Sequence, residues 1–124
     1  MNILYVEDNK VNAMVMDKML SKENARVTIA ENGIKALELV EKDTHDVILL
    51  DINLGKNQMD GCELLKKIQA LPTHKNTPIF AITAYAMPGD ETHFINLGFD
   101  HYFSKPVNFP ALLSALHDAY FSQG

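Results

Sequence analysis

Val47-Ile48-Leu49-Leu50-Asp51 is a run of four apolar residues, the first two β-branched, that stops on a carboxylate. An apolar run without alternation reads as a strand buried on both faces, and such strands belong to parallel sheets covered by helices. The rest of the chain supplies the matching pieces. Short apolar or β-branched runs recur at 3–6, 25–30, 78–82 and, more weakly, 101–103. After these strands, apolar residues recur at the helical spacings of three and four at 11–20, 34–40, 64–71 and 111–116, with a shorter helix suggested at 93–97. Asn9, Asn32, Asp60 and Asn108 stand at N-cap positions, and Pro72 lies just past the third helix. Five strand–helix units in succession predict an α/β domain, a doubly wound parallel sheet with helices on both faces and right-handed crossovers.

The 124 residues are the length of one domain, 1–124, with no internal repeat or linker. With 47% hydrophobic residues the chain can build a core without disulfides or a structural metal. The lone Cys62 excludes an internal disulfide framework and favours a reducing cytoplasm, and it reads as a small packing residue with no His or cation to activate it. No apolar run approaches the roughly 20 residues of a membrane span. The first eight residues carry no basic region and turn acidic, unlike a secretory signal. Eleven Lys and Arg oppose sixteen Asp and Glu, and the cations are scattered, so nucleic-acid binding has no electrostatic footprint. No glycine-rich loop follows the first strand, which disfavours nucleotide binding.

What the strands run into carries the chemistry. The first ends at Glu7-Asp8, the third at Asp51, the fourth at Thr83-Ala84 and the fifth at Ser104-Lys105-Pro106. In an open parallel sheet the ligand site lies outside the carboxyl ends of the strands, where strand order reverses, so these groups are expected to converge. Three carboxylates at close range repel unless a cation neutralises them, and magnesium, a hard ion that takes one or two carboxylates, waters and a phosphate oxygen, suits the set. Lys105 supplies a point charge for an anion from the other side, with the Thr83 hydroxyl and the Ala84 backbone amide as further donors. Acid, metal, cation and hydroxyl around one central Asp describe a carboxylate nucleophile that accepts a phosphoryl group.

The motifs Val6-Glu7-Asp8-Asn9 with Asn12 and Val15, Glu31-Asn32-Gly33 with Ala36-Leu37, Met59-Asp60-Gly61, Ile82-Thr83-Ala84-Tyr85-Ala86-Met87 and Lys105-Pro106-Val107 occur in that order. Over essentially its whole length the chain resembles the response-regulator receiver domains of two-component phosphorelays, above all those attached to hybrid sensor histidine kinases. The resemblance implies a flavodoxin-like (βα)5 fold with strand order 2-1-3-4-5, Asp51 as phosphoacceptor, and Glu7, Asp8, Asp51 and the Asn53 backbone carbonyl as magnesium ligands, Glu7 partly through water. It also implies Thr83 as switch hydroxyl, Lys105 as phosphate-binding lysine, Tyr102 as switch aromatic, and a cis Lys105–Pro106 peptide. Two features depart from the family. The loop after Asp51 is about two residues longer, with Gly55 where a proline commonly sits, and the bulky Tyr85 occupies a variable position that helps set phosphoryl lifetime.

Seven of the ten residues 11–20 are apolar, more than one buried face needs, so some are expected to point outward. A strip of Val11, Met14 and Val15 beside the Asp51 pocket would suit docking of a histidine kinase or histidine phosphotransfer domain. The expected role is a magnesium-dependent phosphoryl acceptor in the cytoplasm, a signalling receiver that catalyses only its own phosphorylation and slow dephosphorylation, with no output domain, nucleic-acid partner or membrane partner. Two alternatives are weighed. An Asp-nucleophile magnesium phosphatase predicts a second Asp two residues after the nucleophile, where Asn53 stands; a pseudo-receiver binding module predicts loss of Asp51, an acid or Lys105, all present. The five histidines lack ligand spacing and read as surface residues, and the six methionines read as core filler.

Overall fold

A computed structural model describes residues 1–52, 60–84 and 87–122. Five strands, β1 (Asn2–Val6), β2 (Arg26–Ala30), β3 (Val47–Asp51), β4 (Ile79–Thr83) and β5 (His101–Ser104), alternate with helices α1 (Lys10–Ser21), α2 (Gly33–Lys42), α3 (Gly61–Gln69), α4 (Asp90–Leu97) and α5 (Phe109–Ser122). A 3-10 turn, Pro72–His74, follows α3. The strands pair in parallel in the order β2-β1-β3-β4-β5, as the resemblance implied. Asn9, Asn32, Asp60 and Asn108 each accept a backbone N–H three residues on, which satisfies a donor that the first turn of a helix would otherwise leave unpaired.

Strand alternation sorts the core into two layers. Ile3, Tyr5, Val47, Leu49, Phe80 and Ile82 face Met16 and Leu20 of α1 and Leu112 and Leu116 of α5. Leu4, Val6, Ile48, Leu50, Ile79 and Ala81 face Ala36 and Val40 of α2 and Leu64, Leu65 and Ile68 of α3. Every residue of β3 and β4 is buried, which is why those strands are apolar without alternation. Gly61 opens α3 because the helix sits hard against the end of β3: a Cβ there would lie 2.9 Å from the Ile52 Cα.

Two expectations are corrected. His74 is fully buried and His45 half-buried, so these two are not surface residues: the 3-10 turn brings the His74 ring against His45, a placement no spacing rule anticipates. The methionines are not uniformly core. Met16 is buried, whereas Met14 and Met87 are exposed. Cys62 is partly buried, and burial, then the nearby Asp60 charge, pushes its thiol above its ordinary value, in keeping with a packing role.

Gly61→Ala is expected to destabilise the fold by about 1–3 kcal/mol, the cost of forcing a methyl group into packed backbone. Chemical denaturation of the two proteins side by side measures it.

Candidate functional site

Parallel pairing in the register Val6↔Leu50 brings the ends of β1 and β3 level. Backbone bonds carry each ladder slightly further: Glu7 N–H donates to the Ala30 carbonyl at 2.9 Å, Ile52 N–H to Ile82 at 2.9 Å, and Lys105 N–H to Thr83 at 2.8 Å. The residues just past the strands are therefore placed as firmly as the strands. Glu7, continuing the Ile3–Tyr5 side of β1, and Asp51, continuing the Val47–Leu49 side of β3, face the same layer.

Both carboxylates are buried, Glu7 at 2% exposure and Asp51 at 3%. Burying an ionised carboxylate is costly unless it is paired. Lys105 does the pairing, its Nζ donating to Glu7 Oε1 at 2.7 Å and to Asp51 Oδ2 at 2.8 Å. The sequence places Lys105 just past β5; the cis Lys105–Pro106 peptide and the turn into α5 accompany its approach across the strand ends. Burial alone would push the Glu7 carboxyl up. Its hydrogen bonds with Asp51 and Lys105, the ammonium charge and the Tyr5 hydroxyl together hold it below its ordinary value of 4.5. Burial likewise favours the neutral amine of Lys105, but the bonds to Asp51 and Glu7 and their charges raise it above its ordinary value.

Tyr5 is the site residue that the sequence concealed. Its hydroxyl donates to Glu7 Oε1 at 3.1 Å, and burial followed by the Glu7 charge drives its own ionisation far above the ordinary phenol range. Inside an apolar strand Tyr5 looks like core, and it is. The signal that could have found it is its spacing of two from Glu7, which puts both side chains on one face.

Asp8 completes an acidic trio. One carboxylate oxygen from each of Glu7, Asp8 and Asp51 lies within 4.8 Å of the others, with Asp8 exposed at the mouth. One ammonium against three carboxylates leaves negative charge in excess when all are ionised, and the buried Glu7 Oε2 has no hydrogen-bond partner among the described residues. An all-oxygen donor set with surplus charge and an unused buried oxygen fits a hard divalent cation.

Thr83 and Tyr102 lie on the other side of the sheet. Tyr102 pairs with Ala81 across β4 and β5, and Thr83, two residues beyond Ala81, extends the same face. Thr83 is buried, Ala84 beside it is exposed, and the Tyr102 ring stacks on Phe94 of α4 with centroids 5.8 Å apart. The Tyr102 hydroxyl is buried without a hydrogen-bond partner among the described residues. Asn53, Gly55 and Tyr85 lie outside the described residues.

The model of the response regulator receiver domain family matches residues 3–117. The chain belongs to this family. It is 30% identical to the polar-differentiation response regulator DivK of Brucella anthropi over 93% of its own length and 92% of that protein. It is also 31% identical to a segment of the histidine kinase BarA of Escherichia coli, over 86% of its own length but only 11% of the kinase. Among solved structures, the receiver domain of the Pseudomonas aeruginosa sensor histidine kinase PA1611 matches with a TM-score of 0.85 at 34% identity, covering 96% of both chains, and that structure carries a magnesium ion in its active-site cleft. The receiver domain is a signalling module of response regulators and hybrid histidine kinases, and here its acidic cluster has the donors to bind a metal.

The Glu7–Lys105 pair contributes to the acid limb of the stability curve. Because Glu7 is held below 4.5, the unfolded chain takes up its proton first on acidification. The stabilisation is therefore complete above that value and is lost as pH falls through the lowered one. Replacing Lys105 with Met removes the ammonium that opposes burial, so the acid loss is expected to begin at higher pH than in wild type, as chemical denaturation at stepwise pH would show.

Proposed function

We propose that Asp51 accepts a phosphoryl group from a phosphohistidine and that the resulting acyl phosphate switches the binding of partners. The observation that carries this reading is the convergence on Asp51 of two further carboxylates and one lysine at the carboxyl edge of the sheet. An Asp51 carboxylate oxygen attacks phosphorus in line, the phosphorus–nitrogen bond breaks, and the donor imidazole leaves with its electron pair. Lys105, already hydrogen-bonded to Asp51, follows the charge onto the phosphoryl oxygens, and the Thr83 hydroxyl and Ala84 amide donate to the remaining ones. Glu7, Asp8, Asp51 and the Asn53 carbonyl are the residues that would hold Mg2+, whose chemistry is to neutralise charge between acid and phosphoryl group. In this role the domain works in the cytoplasm and catalyses only its own phosphorylation and slow loss of the phosphoryl group.

Thr83 and Tyr102 share one face of the sheet, which supports a switch. When Thr83 moves toward the phosphoryl group, the packing next to it opens to Tyr102, and the surface of α4, β5 and α5 changes with the ring. Docking of the donor is proposed along α1, where Val11, Met14 and Val15 are 67%, 62% and 56% exposed. Val15 lines a groove of about 310 Å3 together with Asn12, Met16, Lys105 and Phe109. An apolar strip of this kind beside the reactive carboxylate suits a helical partner, with the flexible Met14 adapting to it.

Incubation with a small phosphodonor and magnesium is expected to add one hydroxylamine-labile phosphoryl group, seen by intact-mass spectrometry, and Asp51→Asn should abolish it; equal labelling of both proteins rejects Asp51. Val15→Glu should slow transfer from a phosphohistidine domain by about tenfold or more, the effect of roughly 1.4 kcal/mol lost at an interface. Labelling by the small donor should stay unchanged, and loss of both would mean that Val15 matters for the site rather than for docking.

A further inference from the structure

At the end of the sheet opposite Asp51, the loop between α2 and β3 and the connection between α3 and β4 meet through two imidazoles. His45, two residues before β3, and His74, the last residue of the 3-10 turn, have ring centroids 5.8 Å apart with a 34° tilt. His74 is fully buried, and its Nδ1 lies 3.0 Å from the Thr73 hydroxyl. Its Nε2 and the Nδ1 of His45 are both shielded from solvent and have no hydrogen-bond partner among the described residues. The pair sits where the two central strands start. The His74 carbonyl accepts from Thr77 N–H at 3.2 Å within the α3–β4 connection, and the Pro78 carbonyl accepts from Ile48 N–H at 2.9 Å, which ties the end of that connection to β3.

We propose that His45 and His74 form a proton-sensitive latch: with both rings neutral the α2–β3 loop stays packed against the α3–β4 connection, and protonation of either ring loosens that contact. Histidine is the side chain whose ordinary titration falls near neutrality. A cation formed on His74 would be buried with the Thr73 hydroxyl but no ion-pair partner among the described residues, and a second on His45 would repel it across the short gap. Among the described residues, four charged groups face or flank the pair. Asp43 and Asp46 lie on the loop of His45, Asp100 reaches the same cleft from the turn before β5, and Lys75, next to His74, is exposed. Two of these carboxylates serve the backbone, Asp46 accepting from Asn2 N–H at 2.6 Å and Asp100 from Ile79 N–H at 2.8 Å. Burial outweighs the pull of Asp43 and Asp46 and holds His45 below its ordinary value of 6.5. Burial, reinforced by His45, does the same to His74.

The sign follows. Below 6.5 the unfolded chain binds protons that the folded pair resists, so the stabilisation is complete above 6.5 and declines as pH falls. The unfolding constant rises by up to about tenfold per pH unit for each linked proton.

Two measurements on the intact chain test the latch: imidazole proton shifts followed by NMR, and amide hydrogen exchange between about pH 7.5 and pH 5.5, a window centred on histidine titration. Both rings should titrate below 6.5, and after correction for intrinsic exchange, protection should fall first at 44–48 and 72–79. His45→Gln, at the half-exposed position, should flatten the pH dependence even if His74→Gln does not fold. Titration of either ring at or above 6.5, uniform loss of protection, or an unchanged slope in His45→Gln would overturn the proposal. So would a rise in Tm with added zinc that vanishes in His45→Gln, since the rings would then be a ligand pair.

Discussion

Two carboxylates buried side by side share one ammonium, and the chemistry of the domain depends on that imbalance. Glu7 and Asp51 are out of solvent because they lie at the ends of two adjacent interior strands, β1 and β3, whose last four residues are all buried. Lys105 makes their burial tolerable by donating to both. With Asp8 added, the three carboxylates outnumber the one ammonium, a donor set that could hold a metal ion. The ion pair that ties Lys105 to both acids is thus also the one that would rearrange under the proposed phosphoryl transfer. Because both acids are buried, removing the lysine that bridges them would leave carboxylate charge out of solvent without its partner.

The fold places the buried acids and the Thr83–Tyr102 pair on opposite faces of one sheet. Glu7 and Asp51 extend the side that packs on α1 and α5, whereas Thr83 and Tyr102 extend the side that packs on α2, α3 and α4. Thr83, at the end of β4 beside β3, is the link between them: its backbone carbonyl holds Lys105 N–H and its side chain shares the face of Tyr102. Family membership makes a signalling role plain, and the switch proposed above would run along this division of faces, from charge at the end of β3 to an aromatic ring on β5, two strands away.

Much of this was legible in the sequence because it is set by local rules. The unbroken apolar runs of β3 and β4 announced strands covered on both faces, and the four cap residues sit where the helices begin. Glu7, Asp8, Asp51, Thr83 and Lys105 could be placed at one edge because parallel strands point their carboxyl ends the same way. What escaped depends on tertiary contact. Tyr5 reads as core until the Glu7 carboxylate is found two residues on, and His74 reads as surface until the 3-10 turn is seen to bring its ring against His45. The outward strip on α1 was foreseen by counting: seven apolar residues in ten exceed what one buried face can use, and Val11, Met14 and Val15 are the surplus.

The most direct measurement of the central claim is a crystal structure of the protein with magnesium and beryllofluoride, a mimic of the phosphoryl group. The predicted result is a beryllium adduct on an Asp51 carboxylate oxygen, the metal held among Glu7, Asp8 and Asp51, and Lys105 Nζ moved off Glu7 to donate to fluoride. An Asp51 without adduct, or a Lys105 that still bridges Glu7 and Asp51 beside a bound adduct, would contradict it.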